Sequence, residues 1–415
     1  MFRFCCSLLT LCLLSGCAMT VERHLDSVRN DFLGSNEIDK DFSNKNNLDL
    51  LFTADSLFHT MDYSSADAAY EEFNKRNTDV TRASFSREAT SVLFGANVNE
   101  YRPYMMDMLF VSYYQLWMAL AESRYDDARV IINQSYARQQ DMSRAYAKTI
   151  ENNKQELLKH SELNRALESD NTTWTAYRDI MNPALMYLSG IYFLNNGEFS
   201  DAETYLKRAS GMMPNNSFIA SDLKYAEKET VPNNTVWVFI EDGFAPKLVE
   251  KRVSLPIVSG DVKSMVTVAT SEPKFFNSTI KIDAAQDLAN VDAMFMTEYN
   301  EYRINDTARA LTSAVARMAL QSSVYNSKNS VAPILGLLST AYSEITTNAD
   351  IRTWVTLPKN ISVMRVQKNK SGLIDLTSNG NLISQVSVPN DGNNYLVYVR
   401  VGKNKYDTKV IKLKK

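Results

Sequence analysis

The segment Pro183–Asn216, PALMYLSGIYFLNNGEFSDAETYLKRASGMMPNN, decides how this chain folds. Apolar residues dominate from 184 to 194, and this pattern predicts a first helix. Asn195-Asn196-Gly197 follows with residues that tolerate the left-handed backbone region. Ser200 and Glu203 form a capping-box pattern at the start of a second helix. The segment therefore predicts a helical hairpin.

Seven positions of this hairpin resemble the 34-residue tetratricopeptide repeat. Small residues let the helices approach, larger apolar residues fill the space beside them, and a proline follows the second helix: Gly190, Phe193, Phe199, Ala202, Leu206, Ala209 and Pro214. A generic helical hairpin is the alternative interpretation. One repeat cannot bury its own apolar face, so the resemblance implies further hairpins upstream.

The aromatic-x-x-Ala signature of the second helix recurs at Tyr63-Ser64-Ser65-Ala66 and Tyr125-Asp126-Asp127-Ala128. The intervals from Tyr63 to Tyr125 and from Tyr125 to Phe199 are 62 and 74 residues, near twice the repeat length. They suggest degenerate hairpins between the recognisable ones. We therefore expect residues 48–230 to form a mainly α, irregular tetratricopeptide-like solenoid.

Two stretches depart from the repeat pattern. Residues 104–121 are apolar enough to resemble a membrane span, but Asp107, Ser112 and Gln115 lie inside the stretch, where a membrane would make them costly. A helix that is apolar all round is more typical of the buried centre of a helical bundle. Residues 126–169 keep helix-forming composition well beyond one repeat, which fits either a projecting helix or a frayed loop.

The pattern changes after Val231-Pro232-Asn233-Asn234, where we place a domain boundary. Residues 235–415 are predicted to form an α+β half that contains a small antiparallel β-sandwich-like module. Asn379-Gly380 and Asn390-Asp391-Gly392 are expected to form hairpin turns. Strands are predicted over 236–240, 251–255, 265–268, 279–282, 353–357, 361–366, 373–377, 383–388, 395–401 and 409–413. Helices are predicted over 291–302, 307–321 and 333–345.

The N-terminus has the form of a bacterial lipoprotein signal peptide. Residues 1–16 contain Arg3 and an apolar run, and Leu14-Ser15-Gly16-Cys17 ends in a lipobox-like triplet. Cys17 is therefore the expected first residue of the mature chain and its site of acylation. Residues 17–47 are predicted to be a polar tether with a short helical piece near 21–32. Ala18 replaces the Asp that retains such proteins at the inner membrane, so we expect an outer-membrane protein facing the periplasm.

Composition excludes several classes of function. The 415 residues carry a net charge of −3, and removal of the signal, with Arg3, leaves −4, which disfavours nucleic acid as a partner. The four cysteines lie in or at the end of the signal: Cys5, Cys6, Cys12 and Cys17. His24, His59 and His160 lack metal-ligand spacing and are expected to be surface or capping residues. We therefore expect neither a metal nor a cofactor.

The order of these segments resembles a family of Gram-negative envelope lipoproteins. The resemblance rests on the lipobox, the helical half, residues 236–246, the predicted helix over 305–321 and residues 349–358, and it covers nearly the whole mature chain. It implies an accessory protein of the cell envelope, in the company of lipoproteins that assist peptidoglycan synthases. It transfers no activity.

Polar residues in the two most specific stretches of this resemblance are the candidate site: Glu241, Asp242, Asp350, Arg352 and Trp354. Their carboxylates either act as acid and base on a glycan or serve as a turn and an ion pair. We favour the structural role, and with it a periplasmic scaffold whose Tyr- and Met-rich concave face binds envelope proteins. The alternatives are a glycan-binding receptor, which includes contact with peptidoglycan, and a peptidoglycan hydrolase.

Overall fold

The computed structural model describes residues 16–32, 34, 38–77, 101–159, 181–259, 262–303, 349–402 and 406–413. The first half contains helices α1 (Gly16–Asp31), α2 (Asn47–His59), α3 (Tyr63–Arg76), α4 (Met105–Ala121), α5 (Tyr125–Lys159), α6 (Pro183–Asn195), α7 (Phe199–Met212) and α8 (Ser217–Glu227). The second half contains strands β1 (Thr235–Asp242), β2 (Lys247–Ser259), β3 (Val262–Lys274), β4 (Gln286–Asn290), β5 (Asn360–Gln367), β6 (Leu373–Ser378), β7 (Asn381–Ser387), β8 (Tyr395–Val401) and β9 (Tyr406–Lys412), with helix α9 over 291–303. The predicted fold class, mainly α followed by α+β, is confirmed. The helices predicted over 307–321 and 333–345 lie outside the described residues.

Three helical hairpins, α2–α3, α4–α5 and α6–α7, share one type of connection. Each loop contains a residue with positive φ: Met61, Ser123 and Gly197. The amide of the next residue bonds back to a carbonyl five residues earlier, from Asp62 to Leu57, from Arg124 to Ala119 and from Glu198 to Phe193. An aromatic residue then begins the second helix, and the alanine three positions later is fully buried: Ala66, Ala128 and Ala202. The recurrence of the hairpin is thus confirmed; degenerate hairpins between the three fall largely on residues outside the described ranges.

The α6–α7 pair packs closely around its small residues. A Cβ atom added to Gly190 would lie 2.7 Å from Leu206 Cγ, so only glycine permits this approach without a shift. Ala202, Leu206 and Ala209 are fully buried at the same contact. The predicted capping box is wrong, because α7 begins at Phe199 and its N-cap residue makes no side-chain cap hydrogen bond.

Replacing Ala202 with leucine is expected to overfill the α6–α7 contact and to lower the free energy of unfolding by about 1–3 kcal/mol. Thermal or chemical denaturation followed by circular dichroism measures this loss. Thr204→Leu is the matched control, because Thr204 lies on the exposed face of the same helix. Equal stabilities of the two variants would contradict the packing described for α7.

The central element of the second half is a five-stranded sheet with the order β4-β5-β1-β8-β9. Strand β1 pairs antiparallel with β5 and parallel with β8, so the sheet is mixed. β6 and β7 form a separate hairpin around Asn379-Gly380, as predicted. Asn390-Asp391-Gly392 instead joins β7 to β8 in a different sheet, so the hairpin predicted there is wrong. The β module therefore depends on β1, which comes from the start of this half.

The central strands β1 and β8 are buried along their whole length, and the helices cover one face of the sheet. Alternate residues of β1 pack on opposite faces of the sheet. Val236, Val238 and Ile240 belong to the core that includes the β6–β7 hairpin. On the opposite face, Phe239 lies with its ring centroid 5.3 Å from Trp117 of α4. The larger of these two hydrophobic cores therefore crosses the boundary at 231–234, so the two halves share buried residues.

Two predicted strands are wrong because their residues serve as loops. The backbone amides of Thr279 and Ile280 bond to the carboxylate of Asp242, at 3.0–3.3 Å, which keeps this segment out of the sheet. The run over 353–357 is also irregular, and the indole of Trp354 donates to Thr356 at 2.8 Å. In the first segment, the Asp242 carboxylate satisfies backbone amides that a strand would pair with a neighbour. In the second, the backbone amide of Leu357 donates to the carbonyl of Trp354 at 3.4 Å, a bond within a turn.

Helix α1 differs from the expected free tether. Leu25 is 1% exposed and Phe32 is 5% exposed, so this segment packs on the body. Helix α4 is buried over almost its whole length, as predicted for the centre of a bundle. Within the described ranges, no helix is both long and apolar enough to cross a membrane.

Candidate functional site

Glu241 belongs to a buried group at the interface between helices and sheet, called here the Arg400 cluster: Asp55, Tyr114, Glu241, Tyr398 and Arg400. The Glu241 carboxylate accepts hydrogen bonds from Tyr114 at 3.2 Å and from Tyr398 at 2.7 Å. Arg400 Nη1 lies 3.3 Å from the same oxygen. Glu241 is 0% exposed and Arg400 is 1% exposed. The cluster thus links α4 to β1 and β8 inside the protein.

The charge of Arg400 lowers the pKa values of two buried carboxyl groups in this cluster, Glu241 and Asp55. Burial raises the pKa of Glu241 to about 7, and the charge of Asp55 adds to this rise while Arg400 opposes it. Burial likewise raises the pKa of Asp55 to about 6, against hydrogen bonds from Thr356, Trp354 and Tyr70 and the charge of Arg400. Such values would suit an acid–base pair, but neither group reaches solvent, so a substrate cannot approach them.

Asp242 and Gly243 form a structural turn after β1. The Asp242 carboxylate accepts hydrogen bonds from the backbone amides of Thr279 and Ile280. Gly243 has φ of 68°, and a Cβ atom there would lie 2.9 Å from Lys359 Cβ. The Glu241-Asp242-Gly243 stretch therefore combines a buried carboxylate, a loop anchor and an obligatory glycine, which favours the structural interpretation of this stretch.

Asp350, Arg352 and Trp354 have separate structural partners. Arg352 donates to Asp350 through Nε at 2.7 Å and Nη2 at 2.6 Å, a two-point ion pair between residues close in sequence. Trp354 Nε1 lies 3.1 Å from Asp55 Oδ2 on α2. The structure therefore connects Trp354 to the Arg400 cluster but does not bring Asp350 and Glu241 together as catalytic carboxylates.

A second buried group, the Asp222 cluster, was not predicted from the sequence: Tyr187, Asp222, Trp237 and Arg365. Asp222 on α8 accepts from Tyr187 at 2.6 Å, from Trp237 Nε1 at 2.7 Å and from Arg365 Nε at 2.8 Å. It is 0% exposed, and burial raises its pKa although Arg365 opposes the rise. This cluster ties α6 and α8 to β1 and β5. A lone acid inside an apolar helix face, as in SFIASDLKYAE, is the signal that could have revealed it.

A third group of buried acids lies at the start of α4. Glu298 of α9 accepts hydrogen bonds from the backbone amides of Met105 and Met106, both at 2.6 Å. Asp107 accepts from the hydroxyl of Tyr101 at 2.6 Å. Negative charge at a helix N-terminus is favourable, yet burial raises the pKa of Glu298 to about 8 and that of Asp107 to about 7. Glu298 thus fixes the N-terminus of α4 to α9, and Asp107 fixes it to Tyr101 in the preceding segment.

The histidines follow the prediction only in part. His24 is exposed and pairs with Asp49 at 3.2 Å. His59 is buried, contrary to the expected surface position, with Nδ1 3.1 Å from Asp407 of β9. Burial lowers the pKa of His59 to about 4, so it is neutral at physiological pH. His160 lies outside the described residues.

A surface groove of about 480 Å³ lies between α1 and α2. Its walls include His24, Asp39, Lys45, Asp49 and Phe52. The charged groups already pair with one another, since Lys45 Nζ lies 3.0 Å from Asp39 and His24 bonds to Asp49. Over the described part of the chain, no three His, Cys, Asp or Glu side chains are grouped to hold a metal ion.

No protein-family model, curated protein or solved structure matches this chain. Every predicted site residue in the C-terminal half has a structural partner. The class that this geometry defines is an α-then-α+β protein whose buried acids join its helices to its sheet.

Proposed function

We propose that this protein is an outer-membrane-anchored lipoprotein that acts as a periplasmic protein-binding scaffold in cell-envelope maintenance. The lipobox ending at Cys17 supports the anchor and the address. The observation that carries the binding role is the contrast between the buried acids and the exposed side chains of α5, such as Asp141 and Arg144. The acids of the three buried groups bond to neighbouring elements of the fold. Helix α5, by contrast, is long enough to continue well past the first residue of α4, the helix with which it pairs.

The inner face of the hairpins is not open to a partner. Three tyrosines of the helical half, Tyr70, Tyr114 and Tyr187, are all buried in the core. Tyr187 lies with its ring centroid 5.7 Å from Phe239 of the sheet. The protein's own sheet therefore fills the concavity that a tetratricopeptide-like solenoid would present, and a partner has to bind elsewhere.

Helix α5 is the surface best suited to this role. Its 35 residues span about 52 Å, twice the length of the 17-residue helix α4 against which it packs. Arg138 still bonds to Ser112 of α4, but Arg144 and Asp141 are highly exposed and pair only across one turn of α5. The exposed polar side chains of so long a helix offer many modest contacts to an envelope protein.

Photo-crosslinking in cells tests this proposal. A crosslinker at Arg144, Glu151 or Gln155 is expected to capture one and the same envelope protein, and the purified pair is expected to bind. Exposed residue Glu227 of α8 provides the control position. Capture from Glu227 alone, or no binding by the purified pair, would contradict a scaffold that works through α5.

The glycan-binding alternative lacks its expected feature in the described part of the chain. Sugar binding commonly uses exposed aromatic rings, but the large exposed apolar residues there are all aliphatic: Met19, Met61, Val130, Leu373, Leu382 and Val410. Three of the four tryptophans, Trp117, Trp237 and Trp354, are buried. The scaffold hypothesis is therefore preferred.

Replacing Cys17 with alanine is expected to abolish acylation and to leave the signal uncleaved. The lipidated cysteine is the residue that such processing requires, and the folded body has no other thiol. Intact-mass measurement of the envelope fraction checks the result. A mature chain that begins elsewhere, or one without acyl groups in the unmodified protein, would contradict the proposed anchor.

A further inference from the structure

Helix α1, which contains the proposed acylation site Cys17, packs against the rest of the protein. One side of α1 carries Leu25, which is 1% exposed, together with Val21 and Val28, which pack against the main core. At its end, Phe32 makes an edge-to-face contact with His59, with ring centroids 4.9 Å apart. These apolar contacts alone oppose release of α1 as a free chain.

A buried lysine strengthens this attachment. Nζ of Lys247, the first residue of β2, lies 2.9 Å from Glu22 and 2.8 Å from Asp26. The Lys247 side chain is 5% exposed, so the two acids of α1 neutralise a charge that would otherwise be buried without a partner. One turn further, the guanidinium of Arg29 lies 4.0 Å above the ring of Phe276. The contacts fix both the position and the rotation of α1.

Because α1 is docked, the distance from Cys17 to the docked part of the protein is short. Cys17 and Glu22 are five positions apart on a helix, a rise of about 7.5 Å. A free chain over residues 17–47 would have a root-mean-square length of about 30 Å and a maximum of about 100 Å. The docked helix thus shortens the reach of the anchor severalfold.

We propose that α1 is a rigid mount that holds the face of the protein around Lys247 directly against the lipid headgroups of the membrane that receives the Cys17 acyl chains. This inference rests on the proposed acylation of Cys17. Met19, two residues from the anchor and half exposed, then lies at the lipid surface. The partner of this face is the bilayer itself, because the anchor is continuous with the mounting helix.

Reversing the charge of Lys247 tests the docking of α1 independently of the acylation of Cys17. In lipidated protein on a supported bilayer, neutron reflectometry measures the water gap between lipid and protein. We expect a gap below about 10 Å for the unmodified protein and of about 30 Å for Lys247→Glu, whose helix is repelled by Glu22 and Asp26. Adding Glu22→Lys and Asp26→Lys to that variant restores the opposite charges and is expected to restore the short gap.

Arg23→Glu is the matched control, because Arg23 is exposed on the same helix and bonds to Met19 rather than to the body. A gap of about 30 Å in the unmodified protein, or the same short gap in Lys247→Glu, would overturn the mount. If Lys247→Glu fails to fold, Glu22→Lys with Asp26→Lys tests the same attachment from the exposed side. Intact mass without acyl groups would instead refute the anchor, so the two failures are distinguishable.

Discussion

Replacing Arg400 with methionine is expected to lower the free energy of unfolding by about 3–5 kcal/mol at pH 8. The substitution removes the guanidinium that lies 3.3 Å from the buried Glu241 carboxylate and whose charge also lowers the pKa of Asp55. The loss should be much smaller at pH 5. There the two carboxyl groups, with pKa values of about 7 and about 6 in the folded protein, are protonated and carry no charge to compensate.

The same linkage predicts the pH dependence of the unmodified protein. The ordinary pKa values of Glu241 and Asp55 are 4.5 and 3.8, below their values in the folded state. Between these limits the folded protein binds more protons than the unfolded chain, so the contribution of both groups to the unfolding free energy falls as pH rises from about 4 to about 7. The buried acids Asp107 and Glu298 act in the same direction.

Chemical denaturation at pH 5 and pH 8 measures both effects. Arg252→Met is the control, since the Arg252 side chain is 64% exposed and its pair with Glu250 lies at the surface. A control variant as unstable as Arg400→Met would indicate a nonspecific effect. An Arg400→Met variant that loses equal stability at both pH values would contradict the charge arrangement described for this cluster.

Replacing Asp222 with alanine is expected to cost about 3–5 kcal/mol and to destabilise both halves together. The change removes the acceptor of Tyr187, Trp237 and Arg365, and Arg365 remains 12% exposed without its carboxylate. Because the main core includes residues of both halves, helices and sheet should unfold in one transition.

Circular dichroism and tryptophan fluorescence follow this unfolding by independent signals. The two signals are expected to report one midpoint in the unmodified protein and one lower midpoint in Asp222→Ala. Glu227→Ala is the control, because Glu227 is exposed on the same helix. Separate midpoints for helices and sheet would restore the two-domain interpretation of the boundary at 231–234.

Local patterns predicted much of the secondary structure. The α6–α7 hairpin follows from its apolar helix, its Asn-Asn-Gly turn and Gly190, and β1 follows from a run of branched and aromatic residues. These are properties of neighbouring residues. The segment at 353–357 has the same strand-like composition, but its Trp354 bonds to Asp55, which lies 299 residues away. A hydrogen bond of that sequence separation has no local signature.

The candidate site shows the same limit. Sequence reasoning selected Glu241 as a polar residue in a stretch that carries the family resemblance, and it offered an ion pair as one role of Asp350 and Arg352, which the structure contains. It missed Arg400, which stands alone in the apolar strand YLVYVRV. A single charge in an apolar strand or helix face implies a buried partner, and this signal would also have selected Asp55 and Asp222. Which partner each charge meets depends on the parallel β1–β8 register, which local sequence does not specify.

The central proposal is that the acids of this protein hold its halves together and perform no catalysis. Incubation of the purified, delipidated chain with peptidoglycan fragments, followed by product analysis, tests this most directly. We predict no cleavage products from the unmodified protein, and changed stability or binding but no lost reaction from Glu241→Ala, Asp242→Ala or Asp350→Ala. Cleavage by the unmodified protein that any of these substitutions stops, with the unfolding curve unchanged, would contradict the proposal and favour the hydrolase.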